Sequence, residues 1–300
     1  MSRTNAIFIL ILLLLTGKFS SLRAQELMDL FGEEEPVTEY TYATFKTTRV
    51  VSGHSVENPA NGVLLFMISH RFGKLNSGAY DLFGLDQATI RLGFEYGINE
   101  WLSAGFGRSS YQKTYDGFLK AKVLRQSSGK KSMPLSLTYF TSMDLFSLKW
   151  QDKERKNYFT SRMTFVHQIL LARKFNDNLS LQFTPTFIHK NLVAGTNDDN
   201  DTFAMGLGGR IKLTRRTSLN AEYFYLMPGS TADNFVNPLS LGFDIETGGH
   251  VFQLHFTNAQ PMFERGLITE TRGKWTNGDI YFGFNISRVF TLKKPAEFRE

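Results

Sequence analysis

The stretch Thr89–Tyr96, TIRLGFEY, places Ile90, Leu92, Phe94 and Tyr96 on one side of an extended chain and Thr89, Arg91, Gly93 and Glu95 on the other. Side chains of a β-strand point to opposite faces in turn, so strict period two predicts a strand with one apolar and one polar face. The pattern recurs at Leu179, Leu181, Phe183 and Phe187, at Phe203, Met205, Leu207 and Ile211, and at Leu239, Leu241, Phe243 and Ile245. It returns at Phe252, Leu254 and Phe256 and at Ile280, Phe282, Phe284 and Ile286. A soluble β-sandwich would alternate too, but it would not line its solvent faces with aromatics while charge and glycine occupy the other faces. Lipid outside and a polar lumen inside explain both faces, which predicts an all-β, antiparallel transmembrane β-barrel.

Turn length supports this reading, because such barrels alternate tight periplasmic turns with longer outer loops. Short connections rich in turn-forming residues occur at Gly97–Glu100, Asn176–Asn178, Thr214–Thr217 and Thr247–Gly249. Longer ones, expected to face the outside, lie at Lys74–Gln87, Lys149–Asn157, Asn191–Asp201, Pro228–Asn237 and Asn258–Gly278. Thirteen candidate strands result, at 39–52, 61–72, 88–98, 101–112, 115–126, 133–148, 157–174, 178–190, 202–214, 217–227, 238–246, 250–258 and 279–290. Single-chain barrels carry an even number. The expectation is therefore about twelve wall strands over 61–290, with fourteen as the alternative. Residues 39–60 form an N-terminal segment that plugs the lumen, packs at a rim or pairs with a missed strand.

At the N-terminus, Arg3 precedes the apolar run Ala6–Leu15 and a polar stretch ending at Ala24. That is the layout of a secretory signal peptide, 1–24, and the run is shorter than the roughly 20 residues of a membrane helix. Residues 25–38, with Glu33-Glu34-Glu35, read as a flexible periplasmic leader, and 291–300 as a C-terminal tail. The 28 Phe and 25 Gly contrast with 8 Pro and no Cys, which excludes disulfides, an N-terminal lipid on cysteine and thiolate metal sites. Three basic residues of the formal +6, Arg3, Lys18 and Arg23, lie in the leader. So small a remaining charge, on an exported chain, does not call for nucleic acid.

No catalytic constellation emerges. Ser52-Gly53-His54-Ser55 lacks the His-x-Ser order that lets an imidazole activate a hydroxyl on one strand face, and it reads as a polar turn. Asp198, Asp199 and Asp201 lack the order of a calcium loop and read as a solvated outer loop. No metal and no cofactor are expected. His70, Arg71, Asp81, Asp86, Gln87, Arg108, Lys113, Tyr115 and Asp116 stand at strand ends and in connections. If they share one mouth, they form either a loop-ordering ionic network or a ligand site. Parity places Arg91, Glu95, Lys120, Lys122, Arg162, Arg210, Lys212, Glu222, Asp244, Glu246 and His255 in the lumen.

The blocks ATFKTTRVVSGHSVE (43–57), ISHRFG (68–73), YDLFGLDQATIRLGFEYGI (80–98), GRSSYQKTYDGFLKAKVLRQ (107–126) and ISRVFTLKKP (286–295) resemble an uncharacterised β-barrel family of Bacteroidota outer membranes. The resemblance implies a barrel and an outer-membrane address and no activity. Passage of a small solute or a lipid is the leading function. The alternatives are a plugged structural or partner-binding barrel and, third, an outer-membrane lipid hydrolase. Outer-membrane lipid and the barrel-assembly machinery are the implied partners.

Overall fold

The computed structural model describes residues 37–150, 153–154, 156–193, 195, 198–229 and 235–293. The expected signal peptide, nearly all of the leader and most of the tail lie outside them. Fourteen strands are present among the described residues. β1 (Thr38–Tyr40) and β6 (Ser127–Gly129) pair only with each other. The other twelve close a single antiparallel barrel. They are β2 (Val63–Lys74), β3 (Ala88–Gly97), β4 (Leu102–Ser109), β5 (Thr114–Leu124), β7 (Ser136–Phe146) and β8 (Met163–Lys174). The ring continues through β9 (Leu179–Lys190), β10 (Asp201–Lys212), β11 (Thr217–Leu226), β12 (Leu239–Thr247), β13 (His250–Thr257) and β14 (Tyr281–Thr291).

Neighbours in sequence are neighbours in the wall, and β14 returns to pair with β2 from Tyr281↔Lys74 to Thr291↔Val63. Closure leaves no unpaired edge, the condition for a sheet in hydrocarbon. The strand lengths bracket the 9–11 or so residues that a tilted strand needs to cross a bilayer. The alternation holds along the wall: Ile90, Leu92 and Phe94 are 40%, 43% and 46% exposed, whereas Arg91 and Glu95 between them are 2% and 3% exposed. Outward rings also meet across strands, as in the stacked pair Phe66–Phe94 with centroids 4.9 Å apart.

The rims differ. One carries the tight connections 98–101, 175–178, 213–216 and 248–249, and also the 125–135 connection that receives β1. The other, the loop rim, carries the longer loops. The two largest differences from the expected strand boundaries are at the first strand and at β8. Of the segment expected as a first strand at 39–52, only Glu39 and Tyr40, the end of β1, are in a strand. β8 begins at Met163 rather than 157, because 159–162 form a 3-10 turn.

The expectation that 258–278 is an outer loop is corrected. Its helix α1 (Glu264–Thr269) is wholly buried. Leu267 and Ile268 belong to one apolar cluster with the inward wall residues Phe140, Val166, Leu170 and Ile188. This loop turns into the lumen because the apolar Leu267 and Ile268 side chains gain more by burial than by facing water, at roughly 25 cal/mol per Å². The 3-10 turn at Leu82–Gly84 orders the 75–87 loop instead, with Leu82 and Phe83 at φ of 46° and 53° and Gly84 at 87°.

Parity makes a direct prediction. Leu207 is 59% exposed on the outer wall, and a charge at mid-bilayer there costs about 2–4 kcal/mol. Leu207→Arg should lower the heat-modifiable, assembled fraction on gels, whereas Tyr80→Arg, in a loop and 96% exposed, should not. Equal assembly of the two would contradict the facing.

Candidate functional site

Residues 43–58 run inside the ring. Arg49 and His54 form an isolated antiparallel bridge, and Val50 N–H donates to the Gly53 carbonyl at 2.9 Å, so the segment folds as a hairpin with its tip at 50–53. The polar turn read from Ser52-Gly53-His54-Ser55 is this tip. It lies in the lumen, where wall side chains meet most of its backbone groups, as burial demands. The amides of Val51, Ser52 and Gly53 donate to the Glu222 carboxylate of β11 at 3.2, 2.8 and 3.0 Å. Convergent N–H groups of a turn make a concavity that suits an anion, and here a wall carboxylate fills it.

Further wall groups hold the hairpin. Gln182 of β9 donates to the His54 carbonyl at 2.8 Å and accepts from Val56 N–H at 3.0 Å. Asn285 of β14 donates to the Val51 carbonyl at 3.0 Å. Arg210 of β10 donates to the Ala43 carbonyl at 2.9 Å, and the Lys120 ammonium donates to the Glu57 carbonyl. Phe45, Val50, Val51 and Val56 are 1–3% exposed and share a cluster with Phe118, Phe140 and Phe224 of the wall. The His54 ring lies against Phe118 and Phe140, at centroid distances of 4.5 and 4.3 Å.

Hairpin and inserted loop meet in the middle of the lumen. Arg49 pairs with Glu264 of α1 at 2.7 Å, with both side chains nearly fully buried. Arg71 of β2 donates to the Ala259 and Pro261 carbonyls at 2.6 and 2.9 Å and to Ser52 Oγ at 2.9 Å, and stands 3.1 Å from His255 Nε2. Arg265 of α1 pairs with Glu270 at 2.7 Å, reaches Asp144 of β7 at 3.9 Å and donates to Gln112 Oε1 at 3.0 Å. A cavity of about 800 Å³ opens where the chain enters, lined by Tyr40, Tyr42, Glu57, Asn58, Lys122 and Arg125 among others. Deeper in, beside Arg49, two cavities measure about 10 Å³ each, about the least that holds one water.

The residues expected at one mouth do not converge. Arg71 and Asp116 turn inward, where Asp116 binds Arg91 through both carboxylate oxygens. Gly93 and Gly107 make room for that pair, since a Cβ on either would stand 2.5 or 2.3 Å from the Arg91 guanidinium. His70, Arg108 and Tyr115 belong to the outer face. His70 stacks on Phe284 at 5.0 Å, and the Arg108 guanidinium lies 5.3 Å from the Tyr115 ring. Asp81, Asp86, Gln87 and Lys113 stay in the loops, with Asp86 and Gln87 exposed. Adjacent strand residues face opposite sides, so an inward Arg71 puts His70 outside on β2 and an inward Asp116 puts Tyr115 outside on β5.

Of the charges assigned to the lumen, Arg91, Glu95, Lys120, Arg210, Glu222, Asp244 and His255 are buried there. Lys120 faces Glu95 at 3.6 Å and Asp244 accepts from Gln253 at 2.9 Å. Lys122 lines the entrance cavity. Lys212 ends β10 at the tight-turn rim, where Glu246 pairs with Lys46. Arg162 is a correction: it sits in the 3-10 turn before β8, donates to the Phe146 and Leu148 carbonyls at 3.1 and 2.6 Å, and lies 4.1 Å over Trp150. Arg49, Gln182, Glu264 and Asn285 were not singled out by the sequence. At the loop rim, hydrogen bonds from Lys74, the Lys274 amide and Asn76 hold the Asp279 carboxyl at about 2, so this tie survives mild acidification and is lost as pH falls from the ordinary aspartate range through that value.

A family model described as a membrane-bound β-barrel domain (DUF5777) matches residues 45–290. Among solved structures, the KdgM porin is similar over 76% of this chain and 99% of its own at 8% identity, with a TM-score of 0.46. The NanC porin gives 76%, 98%, 8% and 0.47 in the same terms. An outer-membrane channel from Pseudomonas putida F1 gives 78%, 97%, 13% and 0.47. Comparison with curated proteins gives no match.

The nest at Glu222 yields a prediction. Glu222→Ala leaves three buried amides without acceptors, each worth about 1–3 kcal/mol. Hydrogen exchange at Val51, Ser52 and Gly53 should accelerate strongly in Glu222→Ala and less in Glu222→Gln, which keeps one carbonyl acceptor. Unchanged protection in both would show that the carboxylate does not hold the tip.

Proposed function

The chain belongs to this family of membrane-bound β-barrel domains, and from that premise we propose that it is an outer-membrane passage for a small solute, held shut by its own N-terminal segment. The observation that carries the reading is how the segment is held. It enters at the tight-turn rim and is bound by hydrogen bonds from β5, β9, β10, β11 and β14 and by ion pairs to Glu246 of β12 and Glu264 of α1, with no covalent tie along its path through the lumen. The neutral contacts among these exchange with water at about 0.5–1.5 kcal/mol each and those of Lys120, Arg210 and Glu222 at about 1.5–3 kcal/mol each, so release is the sum of many reversible terms. The wall behind the segment is polar, with Glu222, Asp244, Gln253 and Asn285 inward, and a polar wall is what a wetted passage requires. In this reading the tight-turn rim and the N-terminus face the periplasm and the long loops face outward. The apolar wall contacts outer-membrane lipid, and the chain reaches it by export and the barrel-assembly machinery.

A permanently plugged scaffold is the second reading, favoured by the dry packing of α1 against Phe140, Val166, Leu170 and Ile188. Single-channel recording separates the two. Intact protein should show low or brief conductance, and deletion of residues 25–57 should raise it, with assembly checked by heat modifiability. A large, steady conductance in the intact protein that the deletion leaves unchanged would overturn the gate. Silence in both, with both assembled, would favour the scaffold.

A further inference from the structure

The inner wall has two chemistries. On β7, β8 and β9, Phe140, Val166, Leu170 and Ile188 are fully buried and fill their part of the lumen as a dry cluster. On β9 to β14 the inward face is mixed, with Ala204, Phe224 and Leu226 in the apolar cluster and Gln182, Arg210, Glu222 and Asn285 directed at main-chain atoms of the hairpin. Gln182 reads one residue's carbonyl and the amide two residues on, the paired pattern an extended peptide presents. Glu222 takes three successive turn amides, Asn285 and Arg210 give to carbonyls. The hairpin's side chains, in contrast, reach wall side chains by polar contact at Lys46–Glu246 and Ser52–Arg71. Any buried chain must have its main-chain groups met, but the helix α1 meets its own, whereas here wall side chains do so and offer the same partners to any chain that takes this path.

We propose that this wall is a binding site for short oligopeptides that carry aliphatic side chains and a small residue at a turn, and that Thr44–Glu57 occupies it as an internal ligand. Main-chain recognition makes the site tolerant of sequence, because amide and carbonyl positions are common to all peptides. Shape adds two preferences. Val50, Val51 and Val56 are nearly fully buried, so aliphatic residues fit their positions. A Cβ at Gly53 would stand 3.1 Å from the Phe224 ring, so the turn takes a small residue. The proposal rests on the reading that the segment leaves the lumen, and names what then takes its place.

The test uses the full chain, which has no cysteine of its own. Thr48→Cys places one thiol on the hairpin where the native hydroxyl oxygen is buried without a partner, and Ser52→Cys places one at the tip. Maleimide modification of either thiol reports departure of the segment. A synthetic peptide with the sequence of residues 43–58, and a second that keeps the residues at positions 50, 51, 53 and 56 and shuffles the rest, should each speed modification about tenfold and saturably, by trapping the vacated state. A neutral oligosaccharide of similar mass should not. If modification proceeds and neither peptide changes its rate, the peptide site is refuted and the gate stands. Acceleration by the native sequence alone refutes sequence-tolerant recognition. If neither thiol reacts, with or without peptide, while the urea-unfolded protein labels fully, the segment does not leave and both readings fall.

Discussion

A main-chain amide or carbonyl left without a partner away from water costs more than most single contacts return, and the protein obeys this constraint twice. Around the outside, twelve strands satisfy one another by closing, and the seam between β14 and β2 completes the ring. Inside, the segment 43–58 has no neighbouring strand to pair with beyond its own short hairpin. Its amides and carbonyls are met by wall side chains instead, with Glu222, Gln182, Asn285 and Arg210 standing where a sheet would put backbone.

The two insertions that fill the lumen come from opposite rims and are not independent. Arg49 of the hairpin and Glu264 of α1 form a buried pair, and removal of either partner would leave a charge in a place with little water, a cost of about 3–5 kcal/mol in comparable pairs. Arg71 binds both insertions from the wall, through Ser52 Oγ on one side and the Ala259 and Pro261 carbonyls on the other. Withdrawal of the hairpin therefore uncovers Glu264 and one hydrogen bond of Arg71, so the inserted loop loses support when the N-terminal segment departs. Arg265 with Asp144, Glu270 and Gln112 remains as the loop's own anchor.

What the sequence by itself determined is the wall. Period two in TIRLGFEY and its counterparts is a local property that each strand carries in full, because the alternation of side chains follows from backbone geometry alone. It carried the barrel class, thirteen candidate strands that the even-number rule turned into twelve with fourteen as the alternative, and the inward position of Arg91, Glu95, Lys120, Arg210, Glu222, Asp244 and His255. Where the extended backbone stopped, parity stopped with it, as at Arg162 in its 3-10 turn. The grouping of His70, Arg108 and Tyr115 with Arg71 and Asp116 rested on nearness in the chain, and adjacent strand residues face opposite ways.

Only the tertiary structure decided what fills the lumen. Nothing in the local pattern of 39–60 distinguishes a rim strand from a luminal hairpin, because the partners that settle it, Glu222, Gln182 and Asn285, lie more than a hundred residues away. The turn of 258–280 is the same kind of case: its residues read as a loop, and the apolar surface that draws α1 inward is assembled from β7, β8 and β9. The site is made of contacts that exist only once the ring has closed, which is why its wall was legible in the sequence and its occupants were not.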